Sequence, residues 1–412
     1  MTLWRIWTRT SYAPFFLAIA AVIELLLRLG DPSPRFRFEW PWATVLAGEW
    51  LVFGGAVIAG TVAWEAWLTR RRLDAFLTGP SRGSANVFAV WAGAATWWTM
   101  LHTLFLAVHL MAASLSDAVG PVQPLIIAVQ YIAVWGFCAL GALVGWYLRW
   151  VFAAPLLTLA LVAVVLSGAE AQRIMWFTSA SSLLGWQPVT SSYALQAAVY
   201  AGVLVVVLGQ LLPTVLRRGL LVAGLVLSLV TVPAAASGRS YWKPAVSAAH
   251  CARQADGLTV CAGDGFESLY PRVAASLTPV VRRMRAWGVE PPVTYVIAAG
   301  DSVRIPDRRD GVISVAAVNG RTHVPPAALV MAATIQTGCA RPTSEQVERQ
   351  AILYGWFLRE FGTDAPGRYP PQPVQQLRSL DTATQRAWVQ EAYARAWACD
   401  RTTPTYPDGV TP

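Results

Sequence analysis

Residues 121–147 read PVQPLIIAVQYIAVWGFCALGALVGWY and contain no charged side chain. A helix needs about 20 mostly apolar residues to cross the roughly 30 Å hydrocarbon core of a bilayer. This segment exceeds that length, so we predict a membrane-spanning helix here. The whole chain has the matching composition, because 55% of its residues are hydrophobic, only 13% are charged and the mean hydropathy is +0.44. Ordinary soluble domains carry about 25% charged residues, so the sequence predicts an integral membrane protein.

Apolar runs on both sides of this segment predict six further spans and an all-α polytopic bundle. The seven predicted ranges are 11–29, 43–68, 86–114, 121–147, 151–168, 193–215 and 219–237. Apolar content then falls to a globular level. We therefore divide the chain into a transmembrane domain (1–237), a small α+β domain (238–402) and a disordered C-terminal end (403–412).

Arginine residues cluster on one side of the seven predicted spans. Four arginines lie on the other side. The nine on the first side are Arg5, Arg9, Arg70, Arg71, Arg72, Arg82, Arg149, Arg217 and Arg218. By the positive-inside rule the N-terminus is cytoplasmic and the C-terminal domain is extracellular, with the cell membrane between them. The same clustering accounts for the net charge of +9, so we expect no nucleic-acid partner.

Four of the five cysteines lie in the C-terminal domain, as expected for a disulfide-bonded exported domain. They can pair in three ways. Proximity in the sequence favours Cys251 with Cys261, and positions at the ends of predicted helices favour Cys339 with Cys399. Buried free thiols are the alternative.

The C-terminal domain shows helical and strand patterns without a catalytic motif. We predict helices at 265–287, 325–337, 343–361 and 382–398, and strands at 292–298 and 311–318. Neither HExxH nor GxSxG is present in this domain, so we expect no enzyme, no catalytic residue and no metal. Asp301, Asp307 and Asp310 fall among three arginines, which predicts a solvated loop.

Polar residues inside the predicted spans are candidates for a substrate pathway, because ionisable groups in a membrane are costly and often functional. These candidates are Glu24, Glu49, His102, His109 and Gln130. Hydrogen bonds between helices are the structural alternative. Glu65 lies close to a basic cluster, so we expect its side chain to reach the membrane surface and pair there.

The segment between the second and third predicted spans reads WEAWLTRRRLDAFLTGP at 64–80. A short amphipathic helix with Leu73, Phe76 and Leu77 on one face is predicted, ending at Gly79 and Pro80. Together with Arg70, Arg71 and Arg72, this face is suited to docking on a cytoplasmic partner. The alternative is a helix lying flat on the inner leaflet.

Three stretches carry a resemblance to a known family. They are TLWRIWTRTSYAPFF (2–16), RRRLDAFLTGP (70–80) and CARQADGLTVCAGDGFESLYPRVAASLTPVV (251–281). The chain resembles the permease subunits of actinobacterial ABC-2 type exporters, some of which carry such a tail domain of unassigned function. The resemblance implies a homodimer or heterodimer of permeases, with the coupling contact at 73–79.

The same resemblance implies that separate ABC ATPase subunits bind ATP and Mg²⁺ and drive export. The chain agrees, because its single lysine, Lys243, lies in Ser-Tyr-Trp-Lys-Pro and a P-loop requires a lysine after a glycine-rich turn. We expect no cofactor in this chain. A membrane-anchored extracellular ligand-binding or sensor protein is the alternative function.

Overall fold

The computed structural model describes residues 39–74, 83–148, 150–166, 183, 186–212, 214–236, 241–244, 250–254, 257–263, 266–298, 310–314, 326–335, 343–362, 371–400 and 406–407. They form two units. The helical unit is drawn from residues up to Lys243, and the C-terminal unit comes chiefly from Pro244–Pro412.

The helical unit contains seven helices within the described residues. They are α1 Trp40–Leu46, α2 Leu51–Asp74, α3 Gly83–Leu115, α4 Pro124–Tyr147, α5 Ala153–Leu166, α6 Thr190–Gly209 and α7 Thr214–Ala236. Strand β1 (Trp186–Pro188) precedes α6 and pairs with β2 (Trp242–Pro244), which follows α7.

Four apolar stretches of helix are long enough to cross a membrane, judged by length and composition: Trp40–Arg72, Asn86–Leu115, Pro124–Tyr147 and Thr190–Gly209. They correspond to the second, third, fourth and sixth predicted spans. The fifth and seventh predicted spans are also helical, but their apolar parts, Ala153–Val164 and Arg218–Leu227, are shorter. The first predicted span, 11–29, lies outside the described residues, so seven spans stay a prediction.

The second predicted span, 43–68, lies within one apolar helical stretch, Trp40–Arg72, which contains a tight turn. Helix α1 ends at Leu46 and α2 begins at Leu51, with a turn at 47–50 between them. In this break the amides of Gly48 and Glu49 donate to the carbonyls three residues earlier, at 2.9 and 3.0 Å. The backbone tightens locally and then continues as α2 to Asp74.

Helix α3 has an apolar face exposed in the folded chain. Its large exposed side chains recur every three or four residues and are Met100, Leu104, Val108, Met111 and Leu115. An apolar stripe that faces outward is the surface that hydrocarbon would cover. His102 and His109 lie on the buried side of the same helix.

Helices α2 and α4 approach closely at two glycines of α4. A Cβ added at Gly141 would lie 2.3 Å from the carbonyl oxygen of Ala59, and one at Gly145 would lie 1.9 Å from that of Ala63. Small residues four apart on both helices form this seam, as in many membrane helix pairs.

The C-terminal unit contains a four-stranded sheet of order β3-β4-β5-β6. The strands are β3 His250–Arg253, β4 Thr259–Ala262, β5 Thr294–Ala298 and β6 Gly311–Ser314. Strands β3 and β4 are antiparallel, whereas β5 runs parallel to β4 and to β6. The predicted strands correspond to β5 and β6, and the predictions missed β3 and β4.

Five helices accompany this sheet: α8 Tyr270–Ala286, α9 Pro326–Thr334, α10 Ser344–Glu360, α11 Pro371–Ser379 and α12 Thr382–Trp397. The sequence predicted all but α11. The unit is therefore a small α+β domain. Its core joins apolar residues of α8, α10 and α12 with the buried side chains of β4 and β5. Tyr406, in the end predicted to be disordered, stacks on Trp388 with ring centroids 6.3 Å apart.

Cys251 and Cys261 face each other across β3 and β4 and form a disulfide. Cys399 is also disulfide-bonded, but its predicted partner Cys339 lies outside the described residues. Cys138 is a buried free thiol in α4.

Candidate functional site: the helix break and its buried polar residues

The break between α1 and α2 is contacted by residues of two other helices, α3 and α4. Gly48 lies in the break, and a Cβ there would come within 2.3 Å of the amide nitrogen of Gln130. Glycine therefore lets the Gln130 side chain of α4 reach the α1 backbone. There the Gln130 Nε2 donates to the carbonyl of Thr44 at 3.0 Å.

His102 of α3 contacts the other side of the break. The indole Nε1 of Trp50 donates to its Nδ1 at 3.3 Å. An indole nitrogen can only donate, so Nδ1 is the acceptor and the imidazole proton lies on Nε2. Thr44, just before the break, thus contacts α4, and Trp50, the last residue of the break, contacts α3.

His102 and Gln130 face one another with complementary atoms. Both residues have no exposed surface, and their side chains interact. His102 Nε2 and Gln130 Oε1 are buried without a hydrogen-bond partner within 3.5 Å among the described residues. Together they are one donor and one acceptor, which can satisfy each other or a bound hydroxyl or amide group.

Aromatic rings surround this polar pair. The Trp50 ring lies 6.2 Å from that of Trp98 and 5.6 Å from that of Phe105, and the Tyr131 ring meets His102 edge-on at 4.9 Å. Such rings form apolar walls that also accept cations on their faces. The polar pair is therefore packed among aromatic rings.

The structure brings together two of the predicted pathway residues, His102 and Gln130. Glu49 lies in the break itself and is half-buried. His109 is buried farther along α3, where its Nδ1 lies 2.8 Å from the Phe105 carbonyl of its own helix. Glu24 lies outside the described residues.

Several site residues were not predicted from the sequence. Three of them lie at or next to the break and contact His102 or Gln130: Thr44, Gly48 and Trp50. Glu39, just before α1, is 4% exposed and accepts a hydrogen bond from the Leu183 amide at 3.2 Å. The position of Glu39, an acidic residue directly before an apolar helix, is the one sequence signal that could have indicated a structural role for it.

Glu65 is buried within the helical unit, with 8% of its surface exposed. It lies on α2, close enough to the Cys138 thiol of α4 to interact with it electrostatically. This adds a buried carboxylate to the contact between α2 and α4.

The predicted coupling segment begins on α2. Arg70, Arg71 and Arg72 belong to the last turns of that helix rather than to a separate one. Arg70 turns toward α4, where its guanidinium donates to the Trp146 carbonyl and lies 5.8 Å from the Trp146 ring, whereas Arg71 and Arg72 are exposed. Leu73 lies within α2, and Phe76 and Leu77 lie outside the described residues.

Among the described residues, no group of three or more His, Cys, Asp or Glu side chains is placed to hold a metal ion. Comparisons with protein-family models, curated proteins and solved structures found no match to this chain.

Proposed function

We propose that this chain is the transmembrane permease subunit of an ATP-binding cassette exporter in the cell membrane. It would move its substrate with ATP hydrolysed by a separate subunit, and its C-terminal unit would lie outside the cell. The observation that carries this proposal is the break between α1 and α2, lined by the buried pair His102 and Gln130. Polar groups buried between membrane helices are costly and by default indicate a substrate pathway or an interhelical contact.

Helix α2 supplies a mechanical link for this function. It runs without interruption for 24 residues, or about 36 Å at roughly 1.5 Å per residue. One end meets the polar pair, and the other carries Arg71 and Arg72 at the proposed cytoplasmic surface. Movement of a docked ATPase against 70–77 would thus be transmitted along one rigid element.

The test is co-purification of a P-loop ATPase with the tagged full-length chain from native membranes, detected by photolabelling with an azido-ATP. We expect the double substitution Leu73→Asp and Phe76→Asp to remove the labelled subunit. Ser81→Asp introduces one of these two negative charges just beyond the coupling segment and serves as the control. Purification without any ATPase, combined with normal function of a chain whose 70–80 segment is scrambled, would refute the proposal.

A second candidate function is a membrane-anchored extracellular ligand-binding or sensor protein. A cleft of about 1160 Å³ in the C-terminal unit favours it, because ligand sites are typically concave and of about 300–1,000 Å³. This function requires no ATPase. The co-purification experiment therefore separates the two candidates.

A further inference from the structure

We propose that one end of the helical unit binds the headgroup of an anionic phospholipid through two exposed arginines of α2. This end is where α2, α4 and α6 terminate. The guanidinium of Arg70 donates to the Trp146 carbonyl in the last turn of α4. The Tyr147 hydroxyl donates to Oε1 of Gln210, directly after α6, at 2.6 Å. The ends of the three helices are thus joined.

One face of α2 carries aromatic rings and a guanidinium toward this end. Gly60, Trp64, Trp67 and Arg71 are spaced by four, three and four residues, which places them on one side of a helix. The Trp64 and Trp67 rings lie 5.2 Å apart, and the guanidinium carbon of Arg71 lies 5.4 Å from the Trp67 ring. The face is therefore aromatic and ends in a cation.

Helix α5 covers only the first part of this face. A Cβ added at Gly60 would collide with the Thr158 hydroxyl, so α5 packs against α2 there. From Thr158 back to its first residue, Ala153, α5 extends about 7.5 Å, whereas α2 continues from Gly60 to Arg71 for about 16 Å. The part of the face that carries Arg71 thus lies beyond the start of α5.

Exposed aromatic residues mark the level of the membrane surface at this end. Trp64 is exposed in the last turns of the apolar stretch Trp40–Arg72, and Trp150 and Phe152 are exposed directly before α5. Tryptophan is enriched where a membrane meets water, with its ring at the level of the headgroups. Arg71 lies two turns beyond Trp64, which brings its guanidinium to the level of the lipid phosphates.

Arg71 and Arg72 are available to bind an anion. Both are exposed, and neither forms an ion pair with a carboxylate among the side chains that the structure describes. Glu65, on the same helix, is buried and interacts with the Cys138 thiol of α4. A guanidinium offers five N–H donors in a planar fork that matches the oxygens of a phosphate.

A lipid is the ligand that contacts both parts of this surface. Its acyl chains can pack on the Trp64 and Trp67 rings within the apolar stretch, while its headgroup reaches the arginines one turn farther along. A free anion would contact the arginines alone, and a water-soluble protein does not reach rings that face hydrocarbon. Each arginine near a membrane surface strengthens binding to anionic lipid about fivefold, so a headgroup with net negative charge is preferred over a zwitterionic one.

The test is native mass spectrometry of the full-length chain released from detergent micelles, with phosphatidylglycerol and phosphatidylcholine of identical acyl chains as probes. We expect phosphatidylglycerol to bind at least about fivefold more tightly. This preference should shrink as added ammonium acetate screens the charges. Inorganic phosphate at the same concentration should not displace the lipid. Equal binding of the two lipids, or displacement by phosphate, overturns the inference.

Substitutions then locate the site. Arg71→Gln and Arg72→Gln should each weaken phosphatidylglycerol binding about two- to fivefold and leave phosphatidylcholine binding unchanged. Lys243→Gln is the matched control, because it removes an exposed cation from β2, which pairs with β1 at the opposite end of α6. If all three variants bind phosphatidylglycerol alike, the lipid binds elsewhere and the assignment is wrong.

This inference does not depend on the proposed transport function. The binding assay contains neither ATP nor an ATPase subunit, so a negative result leaves the permease proposal standing. Conversely, failure of an ATPase to co-purify would leave the lipid preference of Arg71 and Arg72 unchanged.

Discussion

Replacement of Gly145 by alanine tests the close seam between α2 and α4. The added Cβ would lie 1.9 Å from the carbonyl oxygen of Ala63 and 2.7 Å from its Cα. Cβ atoms essentially never come closer than 3.0 Å, so the helices must separate by at least 1.1 Å, the difference between 3.0 and 1.9. The obstructing atoms belong to the backbone and cannot rotate away.

The expected loss of stability follows from two opposing effects. Overpacking of a well-packed interior costs typically about 1–3 kcal/mol. Alanine in place of glycine within a helix stabilises the helix by about 0.8–1 kcal/mol through its higher helix propensity. The net expectation for Gly145→Ala is a destabilisation of about 0–2 kcal/mol, and Gly145→Val should exceed it.

The assay is equilibrium unfolding of the full-length chain in mixed detergent micelles, followed by circular dichroism. Gly219→Ala is the matched control, because Gly219 also lies in a helix and nothing is within 4 Å of its added Cβ. We expect the control to be neutral or slightly stabilising. If Gly145→Ala and Gly219→Ala unfold alike, the close approach of α2 and α4 is wrong.

Three further predictions concern the polar pair, the disulfide and a helix cap. His102→Phe should destabilise the chain by about 1–3 kcal/mol in the same unfolding assay, because it leaves buried polar groups without partners. Met100→Leu on the exposed face of α3 is the control, and equal destabilisation by both substitutions would contradict the contacts of His102 with Trp50 and Gln130. The double substitution Cys251→Ser and Cys261→Ser removes a disulfide with a sequence separation of 10 and should lower the free energy of unfolding in urea by about 2.5–3 kcal/mol. A free energy of unfolding equal to that of Cys138→Ser would refute this. Hydrogen bonds from Thr384 hold the pKa of Asp381 below its usual value. The stabilisation that ionised Asp381 gives to α12 should therefore be present above about pH 4 and fade as the pH falls. Thermal unfolding measures this, and an Asp381→Asn variant whose stability falls in acid just as the parent's does would contradict it.

Composition and apolar run length predicted the helices of the helical unit because lipid-exposed helices require long uncharged sequences. Residues 124–147 are the clearest case, since every side chain in that helix is uncharged. The break at 47–50 could not be predicted in this way. It depends on Gln130, which bonds to a carbonyl 86 residues earlier in the chain, and no local pattern around Gly48 reveals that contact.

Element length does not separate the predicted elements of the C-terminal unit from the missed ones. Strands β3, β4 and β6 have four residues each, and only β6 was predicted, because it begins the longer apolar run GVISVAAV at 311–318. Helix α11 begins Pro-Gln-Pro, which suggests a loop, although proline is well tolerated in the first turn of a helix. The pairing of Cys251 with Cys261 followed from proximity in the sequence, and the antiparallel register of their strands explains it.

The seam and the break have a joint consequence for how the helical unit could move. Gly141, Gly145 and Gln130 all belong to α4, so one helix contacts α2 along the seam and α1 at the break. Backbone contact through small residues permits sliding with little side-chain rearrangement, whereas the bond from Gln130 to Thr44 has a fixed length. A displacement of α2 along α4 would therefore strain that bond and the contact of Trp50 with His102 before it disturbs the seam. Among the described contacts of α1 and α2, those of Gln130 and His102 are therefore the ones that such a displacement strains first.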